Sequence, residues 1–268
     1  MKRVIIKIFI IIFLLYSLLC SISFFLQESF IFQPTKLDRE YKFEFNESFE
    51  EVNIPTNDGI IRNGLLFKTD HQTKGLIFYL HGNAGALDSW GSIAPLYTDL
   101  GYDIFLLDYR GFGKSQGTIK NQDQLVNDIQ TAYIQMKKIY SEKDIIIIGY
   151  SIGTGPAAMI AAANSPKELI LQAPYYSLKD IIHKICPILP NFIIKYKLET
   201  YKYISDCKVP VIIFHGDKDE LINYNNSKKL ERLFKEGDQL ITLKNEKHNT
   251  IIDSKAYQTE IGSILENN

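Results

Sequence analysis

The run Gly149-Tyr150-Ser151-Ile152-Gly153 holds a serine between two glycines and directly follows Ile145-Ile146-Ile147-Ile148. Four β-branched residues in a row read as a strand buried on both faces, and Pro156-Ala157-Ala158-Met159-Ile160 beyond the motif reads as the start of a helix. A G-x-S-x-G sequence at such a strand-to-helix junction is a nucleophile elbow. Its tight turn pushes the serine Oγ out at the top of a sheet, and the flanking glycines keep side chains out of the crowded bend. A serine hydroxyl becomes a competent nucleophile when an imidazole takes its proton, and the imidazole needs a carboxylate to fix its tautomer and stabilise its cation.

The chain supplies both partners after later strand-like runs. Val211–Phe214 leads into His215-Gly216-Asp217-Lys218-Asp219-Glu220, and Gln239–Leu243 leads into Lys244-Asn245-Glu246-Lys247-His248. Of the three carboxylates in the first loop, Asp219 is placed to face a histidine loop once Gly216 has turned the chain off its strand. Asp217 is expected to brace the turn through its backbone, and Glu220 to be solvated. Of the five histidines, His248 alone lies in a loop between the last strand-like and helix-like runs. His81 and His215 read as hydrogen-bonded loop residues. The oxygen that gains charge during attack on a carbonyl is expected to meet the backbone N–H of Ile152 and one from His81-Gly82-Asn83-Ala84-Gly85, with Asn83 first and Ala84 as the alternative.

These motifs, together with Asp108-Tyr109-Arg110-Gly111-Phe112-Gly113-Lys114-Ser115, resemble those of the membrane-anchored serine hydrolases of the α/β-hydrolase superfamily, the bud-emergence-like branch. The resemblance runs from about Phe30 onward and includes an apolar N-terminal stretch followed by Phe30-Ile31-Phe32-Gln33-Pro34. It implies a nucleophile, acid and base at Ser151, Asp219 and His248, and members that are esterases, peptidases or enzymes removing acyl groups from lipidated proteins. Gly113-Lys114-Ser115 is not the end of a phosphate-binding loop, because the position that requires the first glycine holds Asp108. Asp108 is expected instead to pair with Arg110.

The elements that must position these residues alternate along the chain. A hairpin, Glu51–Pro55 and Ile60–Phe67 around Asn57-Asp58-Gly59, supplies an antiparallel edge. Strands at Gly75–Leu80, Asp103–Leu107, Ile145–Ile148, Leu169–Gln172, Val211–Phe214 and Gln239–Leu243 alternate with helices at Ser89–Leu100, Gln122–Tyr140, Thr154–Ala163, Asn225–Phe234 and Thr250–Leu265. That order gives an α/β fold with a mostly parallel, doubly wound sheet. The alternation stops over residues 173–209, which read as a small lid. Its apolar residues, Tyr175 and Tyr176 among them, either form an acyl pocket together with Tyr150 or close the core.

Residues 1–28 read as a membrane anchor, 29–49 as a linker and 50–268 as the hydrolase domain. Ile8–Leu26 is almost wholly apolar and long enough to cross a bilayer, and Ser21-Ile22-Ser23 is a poor exit for a cleaved signal, the other reading of this segment. Lys2, Arg3 and Lys7 precede it, so a single-pass orientation with the catalytic domain outside the cytoplasm is expected. Thirty basic against thirty-one acidic residues, a net charge of -1, exclude a nucleic-acid footprint. Cys20, Cys186 and Cys207 form no metal-ligand spacing, and a Cys186–Cys207 bridge stays open. The expected chemistry needs no metal or organic cofactor, and a monomer acting on an acyl substrate is expected. Amide hydrolysis, and an inactive membrane-tethered binding protein on the same fold, are the alternatives.

Overall fold

The computed structural model describes residues 1–56 and 58–266. Helix α1 (Lys2–Ile31) is followed by the two-residue strand β1 (Gln33–Pro34), then by strands β2 (Phe49–Pro55), β3 (Ile61–Phe67), β4 (Leu76–Leu80) and the short β5 (Ala84–Gly85). Helices α2 (Leu87–Trp90) and α3 (Ala94–Thr98) precede β6 (Asp103–Leu107). Next come α4 (Gln122–Met136), β7 (Ile145–Tyr150), α5 (Thr154–Ala163) and β8 (Glu168–Gln172). The lid contributes α6 (Leu178–Ile185) and α7 (Thr200–Asp206), and the chain closes with β9 (Val211–Gly216), α8 (Asn225–Glu231), β10 (Gln239–Leu243) and α9 (Lys255–Glu266).

Eight strands form one sheet in the order β10-β9-β8-β7-β4-β6-β3-β2. The pairs from β10 to β6 are parallel, while β3 is antiparallel to both β6 and β2, so the expected α/β-hydrolase arrangement with an antiparallel N-terminal hairpin is the one observed. Gly59 takes the left-handed conformation in the hairpin turn (φ 75°), and Asn57 of the same turn lies outside the described residues. Parallel strands present both faces to helices, which is why β4, β6, β7 and β8 are buried at every position. One core layer packs the sheet against α4, α5 and the lid; the other packs it against α3 and α9.

Several expectations change. The helix expected over Ser89–Leu100 is broken into α2, a 3₁₀ turn (Gly91–Ile93) and α3, where Pro95, in the first turn of α3, has no N–H to give the Gly91 carbonyl. The last helix starts at Lys255 rather than near Thr250, since His248–Thr250 forms its own 3₁₀ turn. Residues 29–49 do not lead away from the domain. Helix α1 continues to Ile31, β1 pairs in parallel with β5, Lys36 bridges to Gly113, and Phe32 and Phe43 are buried. All three cysteines are free, so the Cys186–Cys207 bridge does not form.

Arg110 does not pair with Asp108. It is held by Asp128 (Nε to Oδ2 2.5 Å, Nη2 to Oδ1 2.8 Å) and Asp58 (Nη1 to Oδ2 2.7 Å), and Asp128 also accepts from the buried Arg62 Nε at 3.0 Å. Bidentate geometry and the approach of two guanidinium groups favour Asp128 over the neighbouring Asp108. Asp128→Ala leaves Arg62 and Arg110 buried without their shared carboxylate. Chemical denaturation of this variant is expected to show a loss of about 3–5 kcal/mol.

Candidate active site

Strand β7 delivers Ser151 to the carboxyl edge of the sheet, where the backbone turns sharply (φ 52° at Ser151) before α5 begins. A Cβ at Gly149 would stand 2.7 Å from Ala157 Cβ, and one at Gly153 2.3 Å from the Leu80 carbonyl oxygen, so neither position admits a side chain without displacing its neighbours. Thr154 Oγ1 donates to the Ser151 carbonyl at 2.6 Å and ties the bend to the first turn of α5.

Three side chains that are far apart in sequence converge here. His248 Nε2 lies 2.9 Å from Ser151 Oγ, and His248 Nδ1 lies 2.7 Å from Asp219 Oδ2. All three residues are buried. The other carboxylate oxygen of Asp219 accepts the backbone N–H groups of Leu221 (2.9 Å) and Ile222 (2.7 Å). Burial pushes the Asp219 carboxyl up, but the side chains of His215 and His248 and the Ile222 N–H outweigh it and hold the group well below the usual carboxylate range. The carboxylate therefore stays ionised beside the imidazole.

Two contacts around Asp219 carry no local motif. His215 Nε2 approaches Asp219 Oδ2 at 3.2 Å and also meets the Ile222 carbonyl at 2.8 Å, while His215 Nδ1 meets Ser227 Oγ at 2.6 Å. Asp217 accepts the Asn245 N–H at 2.7 Å, joining the loop of the acid to the loop that carries His248. Glu220 is exposed, as expected.

Ile152 and Asn83 both line the cavity above Ser151, with their backbones fixed. The Ile152 carbonyl accepts from Tyr175 Oη (2.9 Å), and the Asn83 carbonyl accepts from Gln33 N–H (2.8 Å). Asn83 Nδ2 also donates to the Ile31 carbonyl at the end of α1 (3.2 Å). Ala84 is in register with Gln33 of β1. Behind this loop His81 is fully buried, 3.4 Å from Asp108, whose own carboxyl burial pushes up.

The three tyrosines divide. Tyr150 lines the cavity and donates to the His248 carbonyl at 3.0 Å. Tyr175 lines it too, but its hydroxyl is occupied by Ile152 O and by the Gly155 N–H (3.1 Å). Tyr176 is not among the cavity residues: its ring stacks on Tyr201 at 4.6 Å, with Lys229 Nζ on it at 5.4 Å. Trp90, Phe30, Ile31 and Gln33, none of them expected at the site from sequence, share the lining of a cavity of about 980 Å³. Phe30 and Ile31 come from the end of α1, Gln33 from β1 and Trp90 from α2, and nothing in their local sequence gives them a place at the site.

A parallel sheet with an antiparallel hairpin, a left-handed serine at the end of its middle strand and an imidazole within reach defines an α/β hydrolase. The chain belongs to the family described as serine aminopeptidase S33, which matches residues 71–205. Asp219 and His248 lie beyond that match. Protein bem46 of Schizosaccharomyces pombe is 30% identical over 190 residues, 67% of this chain and 63% of that protein. The lysophosphatidylserine lipase ABHD12 of Danio rerio is 27% identical over 185 residues, 61% of this chain but 47% of that protein. The match thus spans less than two thirds of either relative. Among solved structures, the Pyrococcus furiosus esterase Pf2001 superposes with a TM-score of 0.71 over 88% of this chain and 98% of the esterase at 18% identity, a likeness that carries the fold alone.

Asp219→Asn removes the charge while keeping the shape. A carboxyl held below its ordinary value stabilises the folded chain fully above the unfolded pKa, about 3.9, and that contribution fades as the pH falls below it. Denaturant titrations are expected to find Asp219→Asn about 1–3 kcal/mol less stable than wild type at neutral pH, with the gap narrowing below about pH 4.

Proposed function

We propose that the protein is a serine hydrolase that cleaves a carboxylic ester or thioester through an acyl-enzyme. Ser151 Oγ attacks the carbonyl carbon as its proton passes to His248 Nε2, and Asp219 holds the imidazole through Nδ1 and stabilises its cation. The N–H groups of Ile152 and Asn83 receive the developing oxyanion. His248 then gives the proton to the departing alcohol or thiol. Water, deprotonated in turn by His248, releases the acid and restores the serine. The continuous contact from Asp219 through His248 to Ser151, at 2.7 and 2.9 Å, is the observation that carries this reading. It also weighs against an inactive binding protein on the same fold, which has no need for an intact relay.

The cavity supports an ester rather than an amide substrate. Its walls near Ser151 are Ile152, Leu178, Ile181 and Ile182, which suit an acyl chain, and the relative ABHD12 is named a lipase. The family description, and Asp253 at the same cavity as a partner for an α-ammonium group, favour the second reading, an aminopeptidase.

Helix α1 is long and apolar enough to cross a membrane, with a mean hydropathy of 2.7 in its most apolar window. In this reading it is an uncleaved single-pass anchor, the domain lies on the extracytoplasmic side, and the enzyme acts as a monomer. Lys2, Arg3 and Lys7 at its start support that orientation.

Ser151→Ala is expected to lower p-nitrophenyl ester turnover at least about a thousandfold and to abolish labelling by a fluorophosphonate probe. Undiminished turnover and labelling in that variant would overturn the hydrolase. A parallel panel of aminoacyl-nitroanilides separates the readings, an enzyme that prefers them to esters being the aminopeptidase.

A further inference from the structure

Helix α1 does not simply leave the domain. Gln27, buried, donates through Nε2 to the Ile193 carbonyl (3.1 Å) and accepts the Lys195 N–H through Oε1 (2.9 Å). Glu28 pairs with Lys195 Nζ at 3.0 Å and accepts from Tyr196 Oη at 3.1 Å, and three turns earlier Tyr16 Oη donates to the Ile188 carbonyl at 2.9 Å. The same face of α1 is thus held against the lid from Tyr16 to Gln27. Eleven residues at about 1.5 Å each cover about 16 Å, close to the hydrocarbon depth of one leaflet.

Between α1 and the lid lies a second cavity of about 300 Å³, walled by Leu19 and Ser23 of α1 and by Leu189 and Ile194 of the lid. Phe30, Ile31, Ile182 and Ile185 border both this cavity and the one above Ser151. The two therefore adjoin along one apolar wall, the wall a chain passing from the first to the second would follow. Helix α6 is built for that position: Leu178, Ile181, Ile182 and Ile185 recur at helical spacing on the face that lines the cavity, while Lys179, Asp180, His183 and Lys184 fall between them. At the level where α1 is apolar, the lid leaves Ile185 (79% exposed), Ile188 (61%) and Phe192 (85%) uncovered, which suits a hydrocarbon surround rather than water.

We propose that the cleft between helix α1 and the lid takes the acyl chain of a bilayer lipid. The membrane helix is then one wall of the substrate site, and the ester enters sideways from the leaflet to reach Ser151. The occupant is a single chain, the scale of the cavity of about 300 Å³ between α1 and the lid, and its carbonyl end lies toward Asn83 and Ile152. This deepens the hydrolase reading and rests on it for the fate of the ester, though not for the binding of the chain.

The test uses the full chain in phosphatidylcholine vesicles. Ser23→Trp and Ile182→Trp fill the cleft from its two sides. Each is expected to lower the ratio of p-nitrophenyl palmitate to p-nitrophenyl butyrate turnover at least tenfold, counted per fluorophosphonate-labelled molecule. In parallel, palmitoyl lysophosphatidylcholine carrying a diazirine near the chain end is photolysed with the Ser151→Ala protein. Crosslinks are expected within residues 19–31 and 182–194. An unchanged ratio in a variant that still takes the fluorophosphonate, or crosslinks confined to other residues, overturns the proposal. Where a tryptophan variant fails to label, the crosslinks decide alone. A wild-type chain that turns over no ester yet crosslinks in those two segments removes the hydrolase reading and leaves the lipid site standing.

Discussion

A non-glycine residue in the left-handed region costs about 1–2 kcal/mol, and Ser151 occupies it at φ 52°. Everything at the candidate site depends on that bend being held. Leu80 and His81 at the end of β4 press against Gly153, α5 presses against Gly149 through Ala157, and Tyr175 Oη closes against Gly155, so the surrounding packing leaves the turn no room to relax. The hydroxyl of Tyr175 contributes twice, accepting the Gly155 N–H and donating to the Ile152 carbonyl. The residue that braces the nucleophile's turn is thus the one that fixes the backbone on which the Ile152 N–H is carried.

The acid side obeys a different constraint. A carboxylate buried beside one imidazole would gain from protonation unless other donors satisfied it, and Asp219 has His215 on one side and two backbone N–H groups on the other. The loop that provides those N–H groups is in turn joined by Asp217 to the loop of His248. Acid and base therefore approach as two braced loops, and the 2.7 Å contact between them needs little further ordering.

The sheet was legible because buried parallel strands leave long β-branched runs, as in Ile145–Ile148 and Val211–Phe214, and because glycine-bearing turns follow them. Ser151, Asp219 and His248 could be chosen for the same reason: each sits just past such a run. Arg110 could not be paired correctly. Its partner Asp128 lies on α4, 18 residues away, and the shared Arg62 lies on β3, 66 residues from Asp128, so neither leaves a local pattern. Tyr175 and Tyr176 are adjacent in an irregular segment where no periodicity says which faces inward, and the structure sends one to the cavity and the other to Tyr201. The stretch after α1 read as a linker because its strand, Gln33–Pro34, is two residues long and pairs with an equally short partner.

That short pairing ties the membrane-like helix to the loop expected to hold the oxyanion. Gln33 N–H bonds the Asn83 carbonyl, Asn83 Nδ2 bonds the last turn of α1, and Thr35 N–H bonds the Gly85 carbonyl. Severed near Ser21-Ile22-Ser23, the remainder of α1 would be about two turns long, too short to persist as a helix by its own backbone bonds. It would also lose Tyr16 and Leu19, and with them the contact to Ile188 and part of the wall facing the lid. An uncleaved segment keeps the helix continuous, and its apolar length then orients the lid and the Asn83 loop together. The helix whose apolar length suits a bilayer thereby ends, at Phe30 and Ile31, in the wall of the cavity at Ser151.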